Sequence, residues 1–189
     1  MRSSAVFFDS VNWGTVGTTA YALGEGIVLS SGDATPPTSN TSGGFSTNAS
    51  GSVGNILGVN VTDASALQFQ FTAPANTEAL IFEWMVGTEE FPIFGDVSPD
   101  ISAVFVDGVN YLFFPNGQKV EYLKAQGGDP GTYDFFTNNA SGVLNIEYDG
   151  VTAPDLVVGL LNPSYDIHTL QHVRRWLFSG AVKRMNRQA

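Results

Sequence analysis

The strongest signal in the chain is a two-residue alternation of apolar and polar positions, which is the mark of half-buried strands. Leu67, Phe69 and Phe71 alternate with Gln68 and Gln70. Val120 and Tyr122 flank Glu121, with Lys119 before them, and Leu144, Ile146 and Tyr148 alternate with Asn145 and Glu147. A further run, ALIFEWMV (79–86), is apolar on both faces except for Glu83, and DLVVGLL (155–161) is another strand of the series. ISAVFV (101–106) meets VNYLFF (109–114) through Asp107-Gly108. That dipeptide between apolar runs predicts a hairpin with a type I′ turn, because both of its residues tolerate positive φ. AVFF (5–8), residues 26–30 and YDIHTL (165–170) add further strands, and a second Asp-Gly turn stands at Asp149-Gly150.

Nine or ten short strands separated by Gly, Asn, Asp and Pro predict an all-β fold. The arrangement expected is a two-sheet antiparallel β-sandwich, with a jelly roll among its variants. Residues 1–170 form a single domain on this reading. Residues 32–55, rich in Gly, Ser, Thr, Asn and Pro, read as a long loop. The helical period of 3.6 shows only near the end, where Val173, Trp176, Leu177, Ala181 and Met185 fall near one helical face. Residues 171–189 are therefore set apart as a basic tail: a last strand, a docking helix or a disordered end.

Composition agrees with strands. Aromatic residues make up 12% of the 189 residues and charged residues only 14%, and strands favour aromatic and β-branched side chains. There is no cysteine, which excludes disulfides, thiolate catalysis and Cys-ligated zinc. All 18 acids lie at or before Asp166 with only three of the eight basic residues, so that stretch carries −15 and the remainder +5. An acidic body repels phosphates and argues against nucleic acid as its ligand, while it suits divalent cations. No run is long and apolar enough for a transmembrane helix, and MRSSAVFFDS, interrupted by Asp9, is not a signal peptide pattern.

Four blocks, GIVLSSG (26–32), DASALQFQFTAP (63–74), FEWMVGTEEFPIF (82–94) and PDISAVFVDGVN (99–110), resemble the choice-of-anchor L domain, a family of microbial surface proteins. The family's Ser-Glu-Glu-Tyr segment is matched by Thr88-Glu89-Glu90-Phe91, its Asn-Asp pair by Pro99-Asp100, and its hairpin end by Asp107-Gly108-Val109-Asn110. The resemblance covers about residues 24–170. It implies a secreted or surface-displayed β-sandwich projected by a separate anchor, with no enzymatic reaction attached. The basic segment HVRRWLFSGAVKRMNRQA departs from the family, which continues there with acidic residues. A virion or filament subunit of the same fold is the variant this departure suggests.

Glu89, Glu90, Asp96, Asp100 and Asp107 fall within 19 residues of strand, loop and strand. Carboxylate and carbonyl oxygens, without cysteine, select calcium over zinc or copper, and these five acids are the candidate metal ligands. Asp63, Asp149 and Asn110 sit at neighbouring strand ends and are further contributors. The alternative is acids solvated in turns, capping local backbone. A glycosidase pair needs two carboxylates facing across a bond. Strand alternation sends Glu89 and Glu90 to opposite faces, so such a pair would require Glu83 with Glu89 or Asp96. Carbohydrate binding or cleavage is accordingly the third functional reading, with glycans as its ligands. His168 and His172 could meet only on a helix, and 165–170 reads as strand. Ser30-Ser31-Gly32 lacks a nucleophile elbow, and Gly24-Glu25-Gly26 is too short for a dinucleotide loop. Asn40, Asn48, Asn60 and Asn139 are glycosylation sequons that arise readily by chance in such a sequence.

The sequence thus predicts a non-catalytic, calcium-binding structural or adhesive module outside the cell. Its partners on this reading are other copies of itself, or a surface or virion component, engaged through the basic aromatic tail.

Overall fold

In the computed structural model, residues 5–30, 64–74, 77–93, 101–122, 131–146, 148–161 and 168–174 are described. They fold as an all-β chain in which the one helical element is a 3-10 turn at Tyr133–Phe135. Among the described residues no helix is long and apolar enough to cross a membrane.

The largest sheet is built on the predicted hairpin. Strand β8 (Ile101–Val106) turns at Asp107 and Gly108 into β9 (Val109–Asn110), with φ of 50° and 81° at the two turn residues, as a type I′ turn requires. The expected strand 109–114 stops early, and the Asn110 side chain is the reason. Its Oδ1 accepts from both Val104 N and Leu112 N at 3.1 Å, so a side chain replaces the partner strand's carbonyl and the ladder ends. Strand β10 (Val120–Glu121) pairs on the outer side of β8. On the other side lies β14 (His168–Arg174), which also pairs with β5 (Ser65–Phe71). Both neighbours of β14 are antiparallel to it.

That strand runs to Arg174, four residues beyond the expected end of the domain, and contains Val173, which the sequence grouped with a helical face. Pairing on both sides occupies both rows of backbone groups, and this outweighs a helical period too short to nucleate alone. On the edge strand β5 the predicted alternation is only partly expressed. Leu67 and Phe71 are half-buried, but Phe69 is exposed.

Strands β6 (Ala79–Trp84) and β13 (Asp155–Leu160) form an antiparallel pair with continuous six-residue register. Leu80, Phe82, Trp84 and Val157 face inward and join Val104, Val106, Leu112, Phe114 and Val120 in one core cluster. The approach is close: a Cβ on Gly159 would stand 2.5 Å from Val106 Cγ2. A three-stranded sheet of β11 (Phe136–Asn138), β12 (Gly150–Thr152) and β7 (Gly87–Thr88) borders this core.

A second cluster gathers Val11, Trp13, Tyr21, Val28, Met85, Leu144, Ile146, Tyr148 and Val151. It is roofed by a hairpin of β2 (Val11–Val16) and β3 (Thr19–Leu23), while β1 (Ala5–Phe8) pairs with β4 (Gly26–Leu29). The β2–β3 hairpin is absent from the sequence reading. Its alternation, Val11 and Trp13 against Tyr21 and Leu23, is broken by an irregularity between Asn12 and Gly14. There Gly14 adopts a φ of 121° and donates to Asn12 Oδ1 at 3.0 Å. Met85 enters the second cluster while Trp84 and Val86 enter the first, so the chain leaving β6 runs between the two cores.

Residues 144–146 and 148 are not strand, yet Leu144, Ile146 and Tyr148 are buried as their alternation predicted. Asn139 holds this segment in place of a partner strand. Its Nδ2 donates to the carbonyls of Ile146 and Tyr148 at 2.9 Å, and its Oδ1 accepts from Leu144 N at 2.6 Å. Asn139 is itself buried, so in the folded protein this sequon is a structural bracket and its amide is engaged. The loop predicted for 32–55, and the other three sequons, lie outside the described residues.

Candidate functional site

The acidic turn grows out of the two-residue strand β7. Its pairing with β12 sets Thr88 against Gly150 and Gly87 against Val151. Glycine is required at two points of this pairing because large rings lie directly on the backbone. A Cβ on Gly87 would come within 2.7 Å of the Tyr148 ring, and one on Gly150 within 2.4 Å of Phe91 Cβ. After Thr88 the chain bends. The Thr88 hydroxyl accepts from Glu90 N at 3.1 Å, and Ile93 N donates to the carbonyl of Glu90 at 3.0 Å across the cis Phe91–Pro92 bond.

Phe91 anchors the turn in the first core. Its ring lies 5.2 Å from Tyr122, 4.8 Å from Tyr133 and 6.2 Å from Phe136. The Tyr122 hydroxyl donates to the Pro92 carbonyl at 2.9 Å. Full burial of a phenylalanine contributes on the order of 2–3 kcal/mol, so this ring pins the glutamates beside it to the protein body.

Strand alternation does not govern the two glutamates, because β7 ends at Thr88 and residues 89–90 lie in a bend. Glu90 is buried and Glu89 half-buried. One carboxylate oxygen of each, Glu89 Oε1 and Glu90 Oε2, lies beneath the surface, as does the Tyr148 hydroxyl. Asp149 stands half-buried just before β12. Burial there holds the Asp149 carboxyl above its usual range, since desolvation disfavours the charged form. Glu89 and Glu90 thus place carboxylate oxygens where charge is costly unless it is compensated.

The other predicted ligands are distributed differently. Asp107 is exposed at the tip of the β8–β9 hairpin. Asn110 has its amide oxygen occupied by backbone donors. Asp96, Asp100 and Asp63 lie outside the described residues. Among the described residues no three His, Asp or Glu side chains come together around a common point. Glu83, needed for a glycosidase pair, is exposed on the outer side of β6. His168 and His172 stand four residues apart on the extended strand β14, roughly 13 Å along its axis, so they do not form a helical pair. Ser30 is buried, and its carbonyl accepts from the Ser65 hydroxyl. It serves as a joint between β4 and β5.

A further feature belongs to the β6–β13 pair. Ile81, Leu156, Val158 and Leu160 share its outer side and are 64%, 57%, 45% and 59% exposed. The sequence reads β6 as apolar on both faces except at Glu83, and among the described residues its outer face is exposed. Comparison with family models, with curated proteins and with solved structures finds no match. The resemblance to the choice-of-anchor L domain therefore stands on its four sequence blocks alone.

Proposed function

We propose that this chain is a non-catalytic structural or adhesive module, folded as a two-sheet β-sandwich, that binds calcium and works outside the cell in self-assembly or surface attachment. The observation that carries the reading is the open apolar side of β6–β13, four large aliphatic side chains in register on one strand pair. Contiguous exposed apolar surface of this kind marks a site of association. The sandwich is supported by the way β6–β13 lies over β8, with Gly159 against Val106.

Calcium is supported by the chemistry of the turn. Glu89 and Glu90 hold carboxylate oxygens below the surface, the chain has no cysteine, and hard oxygen donors select calcium or magnesium. Asp96, Asp100 and Asp107 are the further acids this reading assigns to the ion. The extracellular placement rests on the four family-like blocks. A subunit of a virion or filament is the second reading, favoured by the contrast between an acidic body and a basic end.

Thermal melting with calcium and then with chelator tests the metal, and sedimentation of the intact chain tests assembly. An unchanged melting temperature removes the calcium, and a monomer at all concentrations removes self-assembly.

A further inference from the structure

The open side of β6–β13 has a defined shape and charge. The antiparallel register places Leu156 opposite Glu83, Val158 opposite Ile81 and Leu160 opposite Ala79. All six residues point away from the core into which Leu80, Phe82, Trp84 and Val157 are packed. The result is an aliphatic strip two strands wide and roughly 20 Å long, from six residues at about 3.3 Å each. Acids stand at both ends, with Glu83 and Asp155 exposed at one and Glu78 exposed at the other. Neither strand contains a lysine or arginine.

The sequence of this chain contains a segment with the complementary character. Residues 175–187, RWLFSGAVKRMNR, carry Arg175, Lys183, Arg184 and Arg187, three consecutive large apolar residues at Trp176, Leu177 and Phe178, and no acid. Elsewhere the chain has few cations, with all 18 acids at or before Asp166. We propose that the outer side of β6–β13 is the acceptor for residues 175–187 of a second copy of this chain. This rests on the self-assembly reading above and names the surface and the segment that would carry it.

The aliphatic strip takes Trp176, Leu177 and Phe178, and the flanking acids take the basic residues. Aromatic anchors surrounded by charge at the rim are the usual make-up of a specific interface. The second copy is favoured by the position of the donor's root. Arg174 ends β14, which pairs with β8 and β5, while β6–β13 covers β8 with its inner side and turns its apolar side away from it. The strip and the root of the segment thus face different directions on one molecule, and a neighbour meets the strip directly. Each copy holds one donor and one acceptor, so two copies can exchange segments reciprocally, or many can join head to tail.

The test uses full-length variants and sedimentation velocity. Val158→Lys places a cation in the acceptor strip at an exposed position, where the fold does not depend on the valine. Trp176→Asp together with Phe178→Asp disables the donor. Wild type sediments above the monomer, and each variant alone sediments as a monomer with unchanged circular dichroism. An equal mixture of the two variants restores a species of two copies and no larger, since one intact donor meets one intact acceptor. Wild-type assemblies that persist with Val158→Lys overturn this inference and leave self-assembly standing. A wild-type monomer overturns both. Variant mixtures that stay monomeric overturn the pairing of this segment with this strip.

Discussion

At the scale of single residues, the acidic turn is held by small side chains beside large ones. Gly150 is the clearest case, because its backbone is covered by Phe91 at a distance that leaves no room for a methyl group. Gly150→Ala is expected to lower stability by about 1–3 kcal/mol, the usual effect of overpacking a filled site. Urea unfolding measures it, and a loss below the error of the midpoint would show that Phe91 is not fixed there. Asp149 makes a pH prediction. Its carboxyl is held above 3.8 by desolvation, so the folded state keeps that proton more firmly than the unfolded chain. Its contribution to stability is therefore full below pH 3.8 and is lost as pH rises through the folded value. Asp149→Asn removes the desolvation of a charge. In the presence of chelator it should raise the melting temperature at neutral pH and give no advantage below about pH 3. An equal effect at both pH values would mean that the carboxylate is not desolvated.

At the scale of elements, turn chemistry was the most legible part of the sequence. Asp107-Gly108 folds as the type I′ turn its residues specify, with positive φ at both, because local sterics alone decide which residues accept that conformation. Gly108→Val should cost about 1–2 kcal/mol, the penalty for a β-branched residue in the left-handed region. In the presence of chelator, Asp107→Asn, which keeps a residue at home there, should change stability little. Thermal melting of the two variants side by side checks the contrast. Strand extents were less legible. Asn110 and Asn139 each use a side-chain amide to satisfy backbone groups that a partner strand would otherwise serve. This ends β9 and leaves 144–146 and 148 outside any sheet, although the burial of Leu144, Ile146 and Tyr148 follows the predicted alternation. Periodicity reports which side chains are buried, and it does not report whether a strand or an asparagine covers the backbone.

At the scale of the whole molecule, the calcium proposal has a definite size. A resident ion at about a hundred times its dissociation constant adds about 2.7 kcal/mol. For a chain of this length that raises the melting temperature by about 5–10 °C. Chelator should reverse the shift, and Glu90→Gln should reduce it. A shift that Glu90→Gln leaves untouched would place the ion elsewhere. The acids behind this proposal were visible as a sequence cluster, but proximity along the chain did not fix their surroundings. Glu90 is buried and Asp107 is exposed, since one follows a strand that ends against Phe91 and Tyr148 and the other sits at a hairpin tip.

The sequence by itself determined the class of the fold, the main hairpin, the sites of apolar burial along 144–148 and the opposition of an acidic body and a basic end. These depend on local sterics, two-residue periodicity and counted charge, all of which act over a few residues or need no geometry. The tertiary structure alone decided that β14 lies between β5 and β8, that the two glutamates share a bend, and that, among the described residues, the outer side of β6–β13 is exposed. Each of those depends on which distant segment supplies the neighbouring surface. An apolar strand carries the same pattern whether its second side meets a core or is left open, and only packing tells the two apart.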